Sequence, residues 1–127
     1  VSQDAGPRVL LIVDDEPDML GILQHFAKAC VPDVEVMTAS SGTAALEKMQ
    51  HRVPHAILSD YRMPDMDGAE FLNRSTVLAP DARRVLMTAY ADSGLAHRAG
   101  QDVRLDAFVE KSRGAAAFAQ VLKDVLR

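Results

Sequence analysis

Five short strand-like runs, each ending at a polar residue and each followed by a helix-length amphipathic stretch, restrict what this 127-residue chain can fold into. The runs are Val9–Val13 and residues 34–39, 55–59, 84–87 and 105–109. Unbroken apolar runs such as VLLIV fill strands that are covered on both faces. Strict alternation of such strands with helices implies a parallel sheet with right-handed crossovers and helices on either side, an α/β doubly wound architecture of five strands.

The helices between the runs have local signals of their own. Pro17 suits the first helical position, and Met19, Leu20, Leu23, Phe26, Ala27 and Cys30 recur at helical spacing until Pro32 forbids continuation. Residues 34–39 carry Glu35 and Thr38 among β-formers, as expected near a sheet edge, and Ser40 or Ser41 is the expected cap of the helix holding Ala44, Ala45, Leu46 and Met49. The third strand ends at Asp60, and Asp67 starts a helix with Phe71, Leu72 and Leu78 that closes before Pro80. Ser93 is the expected cap of a short fourth helix terminated by Gly100. Ser112 or Gly114 opens the last helix, whose apolar face is Phe118, Val121, Leu122 and Val125, while residues 100–106 are polar and show no clear period.

Composition narrows the function classes. With 18 acidic against 14 basic residues, a formal net charge of -4 and no Lys/Arg block, direct binding of nucleic acid or an anionic membrane is not expected. Cys30 is the only cysteine, so no internal disulfide can form; a cytoplasmic setting and a helix-packing role for Cys30 are the expectations. No segment approaches the roughly 20 apolar residues of a membrane span. One domain over residues 1–127 is expected, with its core at about 8–127 and a flexible N-terminal extension at 1–7.

The groups of chemical interest all fall at the carboxyl ends of strands, where open α/β sheets bind ligands. They are Asp14 and Asp15 after the first, Asp60 after the third, Thr88 after the fourth and Lys111 after the fifth. In AILSDYRMPDMDG the loop from Asp60 to Gly68 is too long for Asp60 to be a simple helix cap. Three carboxylates brought together repel one another, and a hard divalent cation with oxygen ligands, Mg²⁺ above all, is the simplest way to stabilise them. A metal beside a carboxylate, a hydroxyl and an ammonium group suits a phosphoryl group, and makes Asp60 a nucleophile that forms an aspartyl phosphate. Taken singly, an acidic pair before a helix is usually a cap, a Thr after a strand is commonplace and a lone Lys is solvated; their coincidence on one sheet edge favours the functional reading. The four histidines show no metal-ligand spacing and read as surface or partly packed, and there is no Gly-rich phosphate loop.

With VLLIVDDEP, SDYRMPDMDG, VLMTAY and FVEK in place, the chain from residue 8 to 127 resembles the receiver domain of two-component response regulators. The resemblance implies a flavodoxin-like (βα)5 fold with strand order 2-1-3-4-5. It implies phosphorylation of Asp60 by a phosphohistidine of a sensor histidine kinase or histidine phosphotransfer protein. It further implies that Asp15 and Asp60 bind Mg²⁺ directly, that the main-chain carbonyl of Arg62 is a third protein ligand, and that Asp14 acts mainly through water. Thr88 would bond a phosphoryl oxygen, Lys111 would pair with it, and Phe108 falls at the aromatic switch position whose rotamer follows Thr88. The implied signalling surface is the face of the fourth helix, fifth strand and fifth helix, read by an output domain, a downstream protein or a second copy in a homodimer.

Two departures from the family pattern stand out: Ser112 replaces the usual proline after the lysine, and residues 100–111 make a longer interval than usual. Without proline a cis bond costs roughly 2.5–4 kcal/mol, so Lys111–Ser112 is expected to be trans. Arg62 and Tyr90, two residues beyond Asp60 and Thr88, are expected to flank the mouth of the site and hinder water. A haloacid-dehalogenase-type phosphatase resembles a pattern with a second aspartate where Arg62 stands, so an enzyme of multiple turnover is not expected. A receiver-like scaffold independent of phosphorylation usually lacks some of the acidic or lysine positions, whereas all are present here.

Overall fold

The computed structural model describes residues 7–89, 92–101 and 103–127; Tyr90 and all but one residue of the expected N-terminal extension lie outside them. The chain alternates β1 (Val9–Val13), α1 (Pro17–Cys30), β2 (Glu35–Ala39), α2 (Gly42–Met49), β3 (Ala56–Asp60), α3 (Gly68–Leu78), β4 (Arg83–Thr88), α4 (Ser93–Gly100), β5 (Ala107–Glu110), a short 3-10 turn (Lys111–Arg113) and α5 (Ala115–Val125). All strand pairings are parallel and the order is β2-β1-β3-β4-β5, the doubly wound flavodoxin-like arrangement. From β1 the chain first builds outward to β2 and then crosses back to β3, so a crevice opens between the carboxyl ends of β1 and β3.

Every residue of β1 and β3 is buried, because both strands are covered on both faces. Alternation splits the core in two. Leu10, Ile12 and Leu58 face α1 and α5 and pack with Leu23, Ala27, Phe118 and Leu122, and Phe26 meets Phe118 edge-on at 6.0 Å between ring centroids. Leu11, Val13 and Ile57 point the other way, into a cluster with Ala45, Met49, Phe71, Leu72 and Ala96.

Several boundaries differ from expectation for identifiable reasons. β5 begins at Ala107 because Asp106 forms a bracket before it: its N–H donates to the Arg84 carbonyl, and its carboxylate accepts from the Arg84 N–H, both at 2.8 Å. Leu105 instead plugs the core beneath Gly100, where a Cβ would come within 2.9 Å of it. Of the two serines considered for α2, Ser41 is the cap, accepting from the Ala44 N–H at 3.1 Å. At α4 the N-cap is Asp92, with Ser93 the first helical residue. Gly114, at φ +89°, opens α5, and Ser112 lies in the 3-10 turn. No peptide bond among the described residues is cis, so Lys111–Ser112 is trans.

Arg84 lies inside the fold with 1% exposure. Its guanidinium donates to Ser75 Oγ at 3.0 Å, to the Ala82 carbonyl at 2.7 Å and to the Ala79 carbonyl, tying the end of α3 to the start of β4. Burial pulls its pKa down, opposed by the nearby Asp106 carboxylate. At the opposite end of α3, Gly68 donates its N–H to the Tyr61 carbonyl at 2.7 Å, and a Cβ there would collide with the Asp60 carbonyl and with Leu86. Gly68→Ala should therefore destabilise the fold by roughly 1–3 kcal/mol through overpacking. The check is the urea midpoint, and an unchanged midpoint would contradict this close approach.

Candidate functional site

The register Val13↔Ser59 sets Asp14 beside Asp60 at the carboxyl ends of β1 and β3. Asp14 is fully buried: its N–H donates to the Ala39 carbonyl at 3.2 Å, and its Oδ1 accepts from the Glu16 N–H at 3.0 Å. Asp15 is exposed on the solvent side. Lys111 follows β5, two strands from β3, yet its long stem brings Nζ to 3.3 Å from both Asp14 Oδ2 and Asp60 Oδ1. Four of the five strand-end residues singled out in the sequence are thus brought together.

One ammonium does not balance this site. Carboxylate oxygens of Asp14, Asp15 and Asp60 lie within 4.8 Å of one another. Burial pushes the Asp60 carboxyl up to about 6; Lys111 pulls it back only in part, and Asp14 and Asp15 add to the rise. Burial acts to lower the Lys111 pKa, but Asp60 and Asp14 outweigh it and leave the ammonium above its ordinary range. A cluster of oxygen donors whose charge exceeds its internal countercharge fits a hard divalent cation. The cluster opens into a cleft of about 190 Å³ lined by Asp15, Glu16, Asp60, Arg62, Ala89, Asp92 and Lys111.

Thr88 is buried at the end of β4, and its hydroxyl donates to the Ala89 carbonyl at 3.0 Å rather than to any of the carboxylates. Phe108 is half-buried on β5 and stacks on His97 of α4, with ring centroids 3.7 Å apart and planes inclined by 22°. The Arg62 side chain extends along the mouth of the cleft into a bidentate pair with Asp92, Nε to Oδ2 at 3.0 Å and Nη2 to Oδ1 at 2.6 Å.

The loop after Asp60 is held at several points. Asp65 accepts from the Gly42 N–H at 3.3 Å and from the Thr43 N–H and hydroxyl at 2.8 and 2.6 Å, so it clamps the loop to the start of α2. The Thr43 hydroxyl, helped by backbone N–H groups, pulls the Asp65 carboxyl down to about 2. Met66 lies over Gly42, where a Cβ would be 2.6 Å from its Cγ, and Asp67 caps α3 by accepting from the Glu70 N–H at 2.8 Å. Sequence reasoning anticipated Asp67 but missed Asp65, Asp92 and His97. An acidic residue next to a proline was the only local signal for Asp65, and none pointed to its partner.

The family profile described as response regulator receiver domain matches residues 10–123. The chain belongs to that family. The receiver domain is 36% identical over 112 residues to the response regulator Rre1 of Synechocystis, covering 84% of this chain and 46% of that protein. It is 30% identical over 116 residues to the response regulator protein VraR of Staphylococcus saprophyticus, covering 91% of this chain and 54% of that protein. The receiver domain thus spans about half the length of these two curated relatives. Among solved structures it superposes on the chemotaxis response regulator CheY4 of Vibrio cholerae with a TM-score of 0.82 at 25% identity, covering 94% of this chain and 99% of that one. The signal receiver domain of an HD domain-containing protein from Pseudomonas fluorescens shares the fold, with a TM-score of 0.86 at 23% identity and coverage of 99% and 91%.

The raised pKa of Asp60 has a consequence for stability. Its folded value of about 6 exceeds the ordinary 3.8, so the folded protein holds this proton more tightly than the unfolded chain. The charged carboxylate therefore weakens the fold above about pH 6, and the loss is relieved as pH falls toward about 4. In the absence of divalent metal, Asp60→Asn should stabilise the receiver domain by on the order of 1–3 kcal/mol near pH 7, with the gain vanishing near pH 4. Thermal melts across that range check it, and a variant less stable than the parent at neutral pH would contradict it.

Proposed function

We propose that this receiver domain accepts a phosphoryl group on Asp60 from a phosphohistidine of a sensor histidine kinase or histidine phosphotransfer protein, in a Mg²⁺-dependent reaction. The observation that carries the reading is the Asp60 carboxylate at the foot of a solvent-open cleft, 3.3 Å from Lys111 Nζ and clustered with Asp14 and Asp15. In the step, an Asp60 oxygen forms a bond to phosphorus while the phosphorus–nitrogen bond breaks, and the leaving imidazole takes up a proton.

The residues divide the work. Asp15 and Asp60 would hold Mg²⁺ directly with the main-chain carbonyl of Arg62, and Asp14 would contribute mainly through water. When bound, the ion supplies charge neutralisation for the phosphoryl oxygens. Lys111, already hydrogen-bonded to the carboxylates, donates to a phosphoryl oxygen once Asp60 carries the acyl phosphate. Thr88 has a hydroxyl committed only to the neighbouring Ala89 carbonyl, and turns it toward the phosphoryl group. That movement at the end of β4 biases a two-state equilibrium involving the Phe108 ring on β5, now stacked on His97. The face formed by α4, β5 and α5 is then read by an output domain, a downstream protein or a second copy in a homodimer. The domain has no direct nucleic-acid or membrane role in this reading, acts in the cytoplasm as one unit over residues 8–127, and turns over no substrate beyond its own phosphorylation and hydrolysis.

Intact-mass analysis after treatment with acetyl phosphate tests the reading. One phosphoryl mass should appear with Mg²⁺, disappear with a chelator, and be absent from Asp60→Asn; unchanged labelling of that variant would refute the assignment. Phe108→Ala should gain the same mass yet lose the phosphorylation-dependent NMR shifts of β5 amides and of the α4 amides around His97, the residue its ring stacks on. Shifts of parental size in the variant would show that the ring does not transmit the change.

A further inference from the structure

Among the N-caps near the site, Ser41, Asp67 and Asp92 are the ones with a short side chain suited to accept from the helix; Glu16 of α1 and Gly114 of α5 make no side-chain cap. Ser41 and Asp67 have extended backbone, at ψ 163° and 165°, and each accepts a hydrogen bond from its helix. Asp92 does neither. Its backbone is at φ -99°, ψ 2°, and its side chain makes no capping bond to α4. Both of its carboxylate oxygens are instead occupied by Arg62, at 3.0 and 2.6 Å. The Asp92 side chain is 17% exposed while that of Arg62 is 68% exposed, so the arginine is the partner that meets solvent.

Arg62 lines the same cleft as Asp60 and Asp92. Asp92 is the main cause of its raised pKa, with Tyr61 and then Asp60 adding smaller contributions. A phosphoryl group on Asp60 brings nearly two negative charges and three acceptor oxygens, a better match for the guanidinium fork than a carboxylate.

We propose that the Arg62–Asp92 pair is a latch that keeps α4 uncapped at rest, and that phosphorylation opens it. Arg62 transfers from Asp92 to the phosphoryl oxygens; Asp92, released, turns to an extended backbone and accepts from the first N–H groups of α4. The start of α4 is thereby ordered by a route that does not pass through Thr88 or Phe108. The latch rests on the phosphoacceptor reading of Asp60 for its trigger, but its resting half is a property of the unphosphorylated chain.

Amide hydrogen exchange at the start of α4 distinguishes a latch from a plain ion pair, because removing one partner should protect the helix start and removing the other should not. Arg62→Ala frees Asp92, so Gly94 and Leu95 should become several-fold better protected in the unphosphorylated protein. Asp92→Ala should give no such gain, and should lose the protection that the parent acquires with Mg²⁺ and beryllium fluoride, a mimic of the phosphoryl group on a carboxylate. Because Asp92→Ala frees Arg62 to hold the phosphoryl group, it should also lengthen the phosphoryl lifetime severalfold, whereas Arg62→Ala should shorten it. Equal losses of protection in both variants would overturn the latch. So would an unchanged α4 in parental protein whose Mg²⁺-dependent thermal shift shows beryllium fluoride to be bound. Absence of that thermal shift would count against the phosphoacceptor reading instead, while a gain of protection in unphosphorylated Arg62→Ala with none in Asp92→Ala would still uphold the resting latch.

Discussion

Two buried carboxylates share one ammonium, and the rest of the site depends on how incompletely that charge is balanced. Lys111 reaches Asp14 and Asp60 alike at 3.3 Å, while Asp15 adds a third acid at the rim. Unit charges about 4 Å apart interact by about 4 kcal/mol at the effective dielectric constant of a protein surface. Excess negative charge of this kind suits the cleft to a hard cation. The backbone holds the imbalance in place. Register aligns β1 with β3, and the fully apolar VLLIV and the buried β3 leave neither strand room to shift.

The loops around this centre are anchored unequally. The segment after Asp60 is tied to α2 through Asp65 and Thr43 and to α3 through Asp67, and Gly68 allows α3 to start directly against the Asp60 carbonyl. These ties make one wall rigid. The other wall, leading into α4, is connected to the first through an exposed arginine and has an N-cap that makes no side-chain bond to its helix. Side-chain hydrogen bonding to the site loops is therefore denser on the α2–α3 side than at the start of α4.

Much of this was legible in the sequence because it depends on period and punctuation. Strand runs ending at Asp14, Asp60, Thr88 and near Lys111, with helices between them, leave few topologies, and strand ends then specify which side chains can meet. The failures are equally physical. β5 starts later than its apolar pattern because Asp106 closes a bracket with Arg84, a partner 22 residues away that no local pattern reveals. Ser93 looks like a cap by type, yet Asp92 takes the N-cap position, and its carboxylate is held by Arg62, an arginine 30 residues away that no local pattern reveals. Arg84 reads as a polar residue opening an apolar strand, and only the fold shows that backbone carbonyls of the α3–β4 turn surround its guanidinium. Polar contacts between segments remote in sequence are what periodicity cannot encode.

The central claim is that one carboxylate among three is the nucleophile. An acyl phosphate is reduced by borohydride to an alcohol, which converts the modified aspartate to homoserine and leaves free carboxylates untouched. Peptide mass mapping of the reduced protein after Mg²⁺ and acetyl phosphate treatment should find homoserine at position 60 and intact aspartate at 14 and 15. Homoserine at Asp14 or Asp15, or none anywhere in a protein that has gained the phosphoryl mass, would contradict the account.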